Sequence, residues 1–236
     1  MYLADQAHVP YGDKSPATLE RLTRDNVAML EAAGVDAIVM GCNTSCAVAA
    51  TRGWPVARVP ILDLIETAAG AVTASGARRI GVLATSATAS SGAYGDAIRA
   101  LAPATVVQEV GAPELVPLVE AGTLAGPLAR AAVERSLAPL AAPIDTLVLG
   151  CTHYPLLEAH FRELLDPRVR IVDPALAQAI RAAEFVRLRG GAVGTGRTRF
   201  LTTGALGPYR TALLETFVVA RSGDTIDVAA AVPARG

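Results

Sequence analysis

Short apolar runs closed by Gly, Pro or polar turn residues alternate along this chain with longer Ala-rich stretches, and that alternation leaves few folds open. The strand candidates are Val35–Met40, Pro60–Leu62, Arg79–Ala84, Thr105–Val110, Asp145–Leu149, Val169–Val172 and Arg199–Thr202. Helical stretches lie between them: Ala17–Ala33 with Ser15 or Thr18 near its start, Leu64–Ala74, Gly92–Ala100, Gly126–Leu140, Leu156–Leu164 and Leu176–Leu188. Strands this apolar cannot be half exposed, and strands separated by helices pair in parallel. The fold class is therefore α/β, with parallel sheets covered on both faces.

Hydrophobic residues make up 52% of the 236 and charged residues 18%, enough apolar material for a sizeable core. Aromatics are only 4%, so that core is aliphatic. The 21 basic and 22 acidic residues leave a formal charge of -1, and no block of one sign stands out. Electrostatic capture of nucleic acid or of an anionic membrane is thereby disfavoured, and a small-molecule partner is expected. Three cysteines make no disulfide framework and fit a reducing compartment. Met1-Tyr2-Leu3-Ala4-Asp5 carries no basic or apolar signal region, so a soluble, cytoplasmic protein is expected. The loop Gly190-Gly191-Ala192-Val193-Gly194-Thr195-Gly196 neither closes a strand nor opens a helix, which excludes a dinucleotide-binding turn.

Two segments repeat. Val35-Asp36-Ala37-Ile38-Val39-Met40-Gly41-Cys42-Asn43-Thr44 matches Ile144-Asp145-Thr146-Leu147-Val148-Leu149-Gly150-Cys151-Thr152-His153, and each Cys falls six residues after its Asp. The repeat predicts two similar parallel-sheet α/β domains with a cleft between them. Each carries one thiol at the carboxyl end of a buried strand, where ligands of such sheets bind. Gly41 and Gly150 are expected to let the backbone turn sharply. Free N–H groups of the succeeding helix suit a carboxylate and favour a thiolate, lowering its pKa from about 8.5 towards neutral. Asn43, Thr44 and Thr152 offer amide and hydroxyl groups to an amino acid, and His153 can orient Cys151 or share its proton.

Such a pair suits racemisation, which removes an α-proton on one face and supplies one on the other. Pyridoxal phosphate would need a lysine, and the single lysine, Lys14, lies in a turn-like loop. No cofactor is expected. Cys46, four residues after Cys42, reads as packing, and His8 and His160 as surface or helix-face residues. A zinc site of Cys42, Cys46, Cys151 and His153 has spacings foreign to zinc motifs, and no metal is expected.

Cys42-Asn43-Thr44 and Leu149-Gly150-Cys151-Thr152-His153-Tyr154-Pro155-Leu156-Leu157 resemble the two active-site signatures of glutamate racemases, in the aspartate/glutamate racemase family. Val9-Pro10-Tyr11-Gly12 with Lys14-Ser15 is similar to a third family element, Val116-Pro117-Leu118-Val119-Glu120 to a fourth, and Thr202-Thr203-Gly204 to the C-terminal strand. The resemblance runs in order from about Tyr2 to about Val218. It implies a cofactor-independent isomerase that interconverts L- and D-glutamate by two-cysteine proton transfer, supplying D-glutamate for peptidoglycan. Cys42 and Cys151 would be catalytic. Tyr11, Gly12, Asn43, Thr44, Thr152 and His153 would contact substrate, with Glu120 behind His153. It further implies a first domain of residues 1–66 plus 176–236, a second of 67–175, and a homodimer. One departure stands out: the family opens with a strand ending in Asp-Ser-Gly, which would precede Tyr2, and the expectation is a start codon assigned too far downstream. His8 also stands where the family has Arg. Another acidic amino-acid racemase of the family, or a shortened relative that only binds ligand, remains an alternative.

Overall fold

The computed structural model describes residues 1–190, 198–211 and 227–230. The expected loop at 190–196 lies outside them, apart from Gly190. Strands β4 (Arg79–Ala84), β5 (Val106–Gly111), β6 (Thr146–Gly150) and β7 (Arg170–Val172) form a parallel sheet in the order β5-β4-β6-β7. Their period of two divides the side chains between two cores. Ile80, Val82, Ala84 and Val148 enter one, against α3 (Leu64–Ala74) and α5 (Ala93–Leu101). Leu83, Leu147 and Leu149 enter the other, against α6 (Leu115–Glu120), α7 (Gly126–Leu137) and α8 (Glu158–Leu164). Both faces of this sheet are covered, as the apolar runs require.

The remaining strands form smaller parallel sheets. Strands β2 (Ile38–Val39) and β3 (Ile61–Leu62) pair with each other, while β1 (Tyr2–Ala4), β8 (Arg199–Thr202) and β9 (Asp227–Ala230) run in the order β1-β8-β9. Helix α1 (Pro16–Ala32) starts where the sequence directs. Ser15 Oγ accepts from Thr18 N at 3.2 Å, and Pro16 holds the first helical position. Helix α2 (Asn43–Arg52) packs on α1 and α3, and α9 (Pro174–Leu188) packs on α3 and touches β6.

Three expectations need correction. The Val35–Met40 strand contracts to two ladder residues, and Val39 is 47% exposed. Ile38 is buried and Val39 is not, so the rule that these strands are buried on both faces fails there, and among the described residues β2 pairs with β3 alone. The Leu156–Leu164 helix opens as a 3-10 turn, Tyr154–Leu157, before α8 begins. Between β4 and α5 lies a short helix, α4 (Ser86–Ser91), that the pattern did not suggest. Gly92, at φ 71°, separates α4 from α5 in the left-handed region that favours glycine. Helix α10 (Leu206–Thr211) comes after β8. No helix among the described residues is long and apolar enough to cross a membrane.

Candidate active site

Both repeat cysteines stand at carboxyl ends of parallel strands. Cys42 is the N-cap of the ten-residue α2, in extended conformation at φ -119° and ψ 116°, and its carbonyl accepts from Cys46 N at 3.1 Å. Its side chain makes no cap bond, so the N–H groups opening α2 receive nothing from it. The thiol is half-buried. Cys151 directly succeeds β6 and is 6% exposed. The turn after it is anchored by Tyr154, whose hydroxyl donates to Ala112 O at 2.8 Å while its ring is wholly buried.

Charge on Cys42 is felt at Cys151, Cys46, Tyr2 and Tyr11, so the two repeat thiols share one electrostatic neighbourhood. Burial pushes the Cys151 thiol up to about 12, and a negative Cys42 adds to the rise; backbone N–H groups of His153 and Tyr154 oppose it and lose. The expectation of a lowered pKa is wrong at this residue. The element after Cys151 is a four-residue 3-10 turn, too short to offset desolvation. The sharp-turn reading of the glycines is also corrected. Neither Gly41 nor Gly150 has a positive φ.

His153 and Glu120 come together as a chain behind Cys151. The sulfur lies 3.7 Å from His153 Nδ1, and His153 Nε2 lies 2.6 Å from Glu120 Oε1 at the end of α6. Thr152 is exposed beside them. Asn43 and Thr44, at the start of α2, are buried against the larger sheet's elements instead. Asn43 Oδ1 accepts from the Tyr94 hydroxyl at 2.6 Å. Thr44 Oγ1 lies 3.0 Å from Thr85 Oγ1 and 3.2 Å from Thr88 Oγ1, and those two are 3.0 Å apart. This hydroxyl triangle ties the first thiol's helix to the end of β4.

The Tyr11-Gly12 turn is held from below. Asp5 accepts from the Tyr11 hydroxyl, from Thr203 Oγ1 at 2.6 Å and pairs with His8 Nδ1 at 2.7 Å. Burial alone would raise the Asp5 carboxyl, but those donors hold it below the usual carboxylate range. Asn26 Nδ2 donates to the Tyr11 oxygen at 3.1 Å. Gly12 packs so closely on Thr85 that a Cβ there would lie 2.9 Å from the threonine's Cβ, so the turn needs glycine.

Sequence reasoning missed Tyr94, Thr85, Thr88, Asn26 and the role of Asp5. Thr85 alone had a usable signal, as the polar residue at a parallel strand's carboxyl end. Cys46 is wholly buried and bonded to the Asp63 carboxyl, consistent with packing. His160 lies on a helix face near Glu163, whereas His8 belongs to the Asp5 cluster. Lys14 Nζ donates to Pro10 O at 3.0 Å. Among the described residues no three His, Cys, Asp or Glu side chains group as metal ligands.

Residues 2–182 match the profile of the family described as Asp/Glu/Hydantoin racemase. A glutamate racemase of Gloeobacter violaceus is 46% identical over 184 residues, covering 78% of this chain and 69% of that protein. The glutamate racemase isoform RacE1 of Bacillus anthracis superposes with a TM-score of 0.85 at 28% identity, over 97% of this chain and 86% of its own. A glutamate racemase of Francisella tularensis, solved in complex with D-glutamate, gives 0.85 at 27% identity over 95% and 86%.

Proposed function

Because this chain belongs to the Asp/Glu/hydantoin racemase family and shares the two-domain α/β fold of its racemases, we propose that it interconverts L- and D-glutamate by moving the α-proton between Cys42 and Cys151, without a cofactor. In one direction the Cys42 thiolate takes the proton from one face of Cα as the Cys151 thiol delivers one to the other. The reverse reaction exchanges the roles, and no bond to sulfur forms. The N–H groups opening α2 receive the substrate carboxylate, on which negative charge grows as the carbanion develops. Thr152 and the Tyr11-Gly12 turn hold the remaining polar groups.

One observation carries the reading: both thiols stand at the ends of parallel strands, Cys42 opening α2 and Cys151 buried with His153 and Glu120 behind it. A thiol raised to about 12 keeps its proton near neutral pH, which suits the acid of the pair. The names of the relatives favour glutamate over aspartate. The same reading makes residues 1–66 plus 176–236 one unit and 67–175 the other, in a cytoplasmic homodimer whose D-glutamate enters peptidoglycan. Circular dichroism of L- and D-glutamate solutions tests it: ellipticity decays with either enantiomer, and Cys42→Ala or Cys151→Ala lowers kcat/KM by about 10²–10⁴-fold. A folded native chain that leaves both signals constant would overturn it, and faster decay with aspartate would replace the substrate.

A further inference from the structure

Gln178 is 4% exposed on a helix that otherwise buries only Pro174 among its fifteen residues. It is not filling an apolar core. Its Nε2 donates to Met40 O at 3.0 Å and to Leu62 O at 2.8 Å, and its Oε1 lies 2.8 Å from the Thr67 hydroxyl on α3. Thr67 Oγ1 in turn lies 2.6 Å from Asp63 O and accepts from Arg181 Nη1 at 2.7 Å. A buried carboxamide left unpaired costs about 1–3 kcal/mol. Here both N–H groups are engaged, and the oxygen shares the single Thr67 hydroxyl proton with Asp63 O.

The two carbonyls are not arbitrary ones. Met40 and Leu62 stand at the carboxyl ends of β2 and β3, and Met40 is succeeded by Gly41 and then Cys42. Strand β2 has two ladder residues and, among the described residues, pairs with β3 alone. Its carboxyl end is bonded to β3 through Met40 N, which donates to Leu62 O at 3.1 Å. Gly41 has open space where a Cβ would stand, so packing around it does not fix the turn. Asn43 and Thr44 hold Cys42 from its helix side, and the Gln178 carboxamide adds the constraint on its strand side by joining both strand ends to α9.

We infer that Gln178 is a positioning residue for Cys42: it fixes the strand end from which the first thiol projects. The inference rests on the two-thiol reading, and its role is specific to that thiol, because β6 before Cys151 is flanked by β4 and β7. A misplaced base lowers turnover more than binding. Gln178→Met keeps length and volume and removes the two donors. It is expected to lower kcat about tenfold or more with KM within about threefold. Iodoacetamide alkylation, read by mass spectrometry from neutral to alkaline pH, separates this from general loosening. The ratio of Cys42 to Cys151 labelling shifts by about threefold or more, through Cys42 alone. Thr67→Val, a milder change, shifts that ratio in the same direction and serves if Gln178→Met does not fold. Native turnover with a native labelling ratio overturns the inference, as does an equal change at both thiols. The labelling needs no catalysis. A native chain that does not racemise glutamate would sink the proposed function while the ratio still decides the role of Gln178.

Discussion

Val39 and Val148 occupy matching places in the two strand-Gly-Cys segments, yet Val39 is 47% exposed and Val148 is wholly buried. The matched aspartates differ as well. Both are exposed, but Asp145 accepts from the backbone N–H groups of Arg78 and Arg79, each at 2.9 Å, tying β6 to β4, and Asp36 makes no such bond among the described residues. After Cys42 comes a ten-residue α-helix, and after Cys151 a 3-10 turn. One thiol is half-buried and the other buried. These differences share a cause. Strand β6 has neighbours on both sides and helices on both faces, while β2 has one neighbour among the described residues. The repeat places each thiol at a strand end; the strands and helices packed around that end set how deeply the thiol is buried.

The largest stability difference should separate the two valines. Val148→Ala removes two methyl groups from a closed core and is expected to lower unfolding free energy by about 2 kcal/mol in urea titrations. Val39→Ala should change it by less than about 0.5 kcal/mol. Equal losses would break the comparison, because Val39 would then be covered in solution.

The glycines give a comparison one step smaller. A Cβ on Gly150 would meet Ala84 Cβ at 3.1 Å, with Tyr94 Cε2 and Val82 Cγ1 at 3.2 Å, all held in the packed core. Gly150→Ala should therefore destabilise by about 1–2 kcal/mol through overpacking. A Cβ on Gly41 meets nothing within 4 Å, so Gly41→Ala should stay within about 0.5 kcal/mol of native. Thermal melts of the pair decide the matter, and a destabilised Gly41→Ala would show that the first turn is as tightly enclosed as the second.

Most of the architecture was legible because it rests on local pattern. Arg79–Ala84 and Leu64–Ala74 emerge with the bounds their apolar periodicity suggested. The two thiols were legible as a pair because the repeat places each at a strand end. The illegible part depends on contacts between distant segments. Nothing near Val39 in sequence says that β2 lacks a second neighbour. Asp5 meets Thr203 across almost the whole chain, and Gln178 reaches Met40 from α9. Thr85 and Tyr94 meet Thr44 and Asn43 only once β4 and α5 are packed against α2. The pKa of Cys151 was misjudged for the same reason. Helix-terminus electrostatics is local, whereas the desolvation that outweighs it is the work of the whole second core.

That desolvation has a sign that can be measured in the ligand-free protein. Burial raises the Cys151 thiol from the ordinary 9.0 to about 12, so the folded chain keeps a proton that the unfolded chain releases between those values. Below 9.0 both states hold it and its stabilising contribution is complete; as pH climbs towards 12 that contribution is lost. At about 1.4 kcal/mol per pH unit, roughly 1 kcal/mol should be gone by pH 10. Cys46 and the buried tyrosines Tyr94 and Tyr154 are raised too and push in the same direction, but they are present in native protein and Cys151→Ala alike. Urea titrations of both proteins at pH 7.5 and pH 10 therefore isolate one thiol, with the native chain losing about 1 kcal/mol more than the variant. Equal losses would mean that the second thiol ionises as easily folded as unfolded, and burial would then no longer distinguish the acid of the pair from its partner.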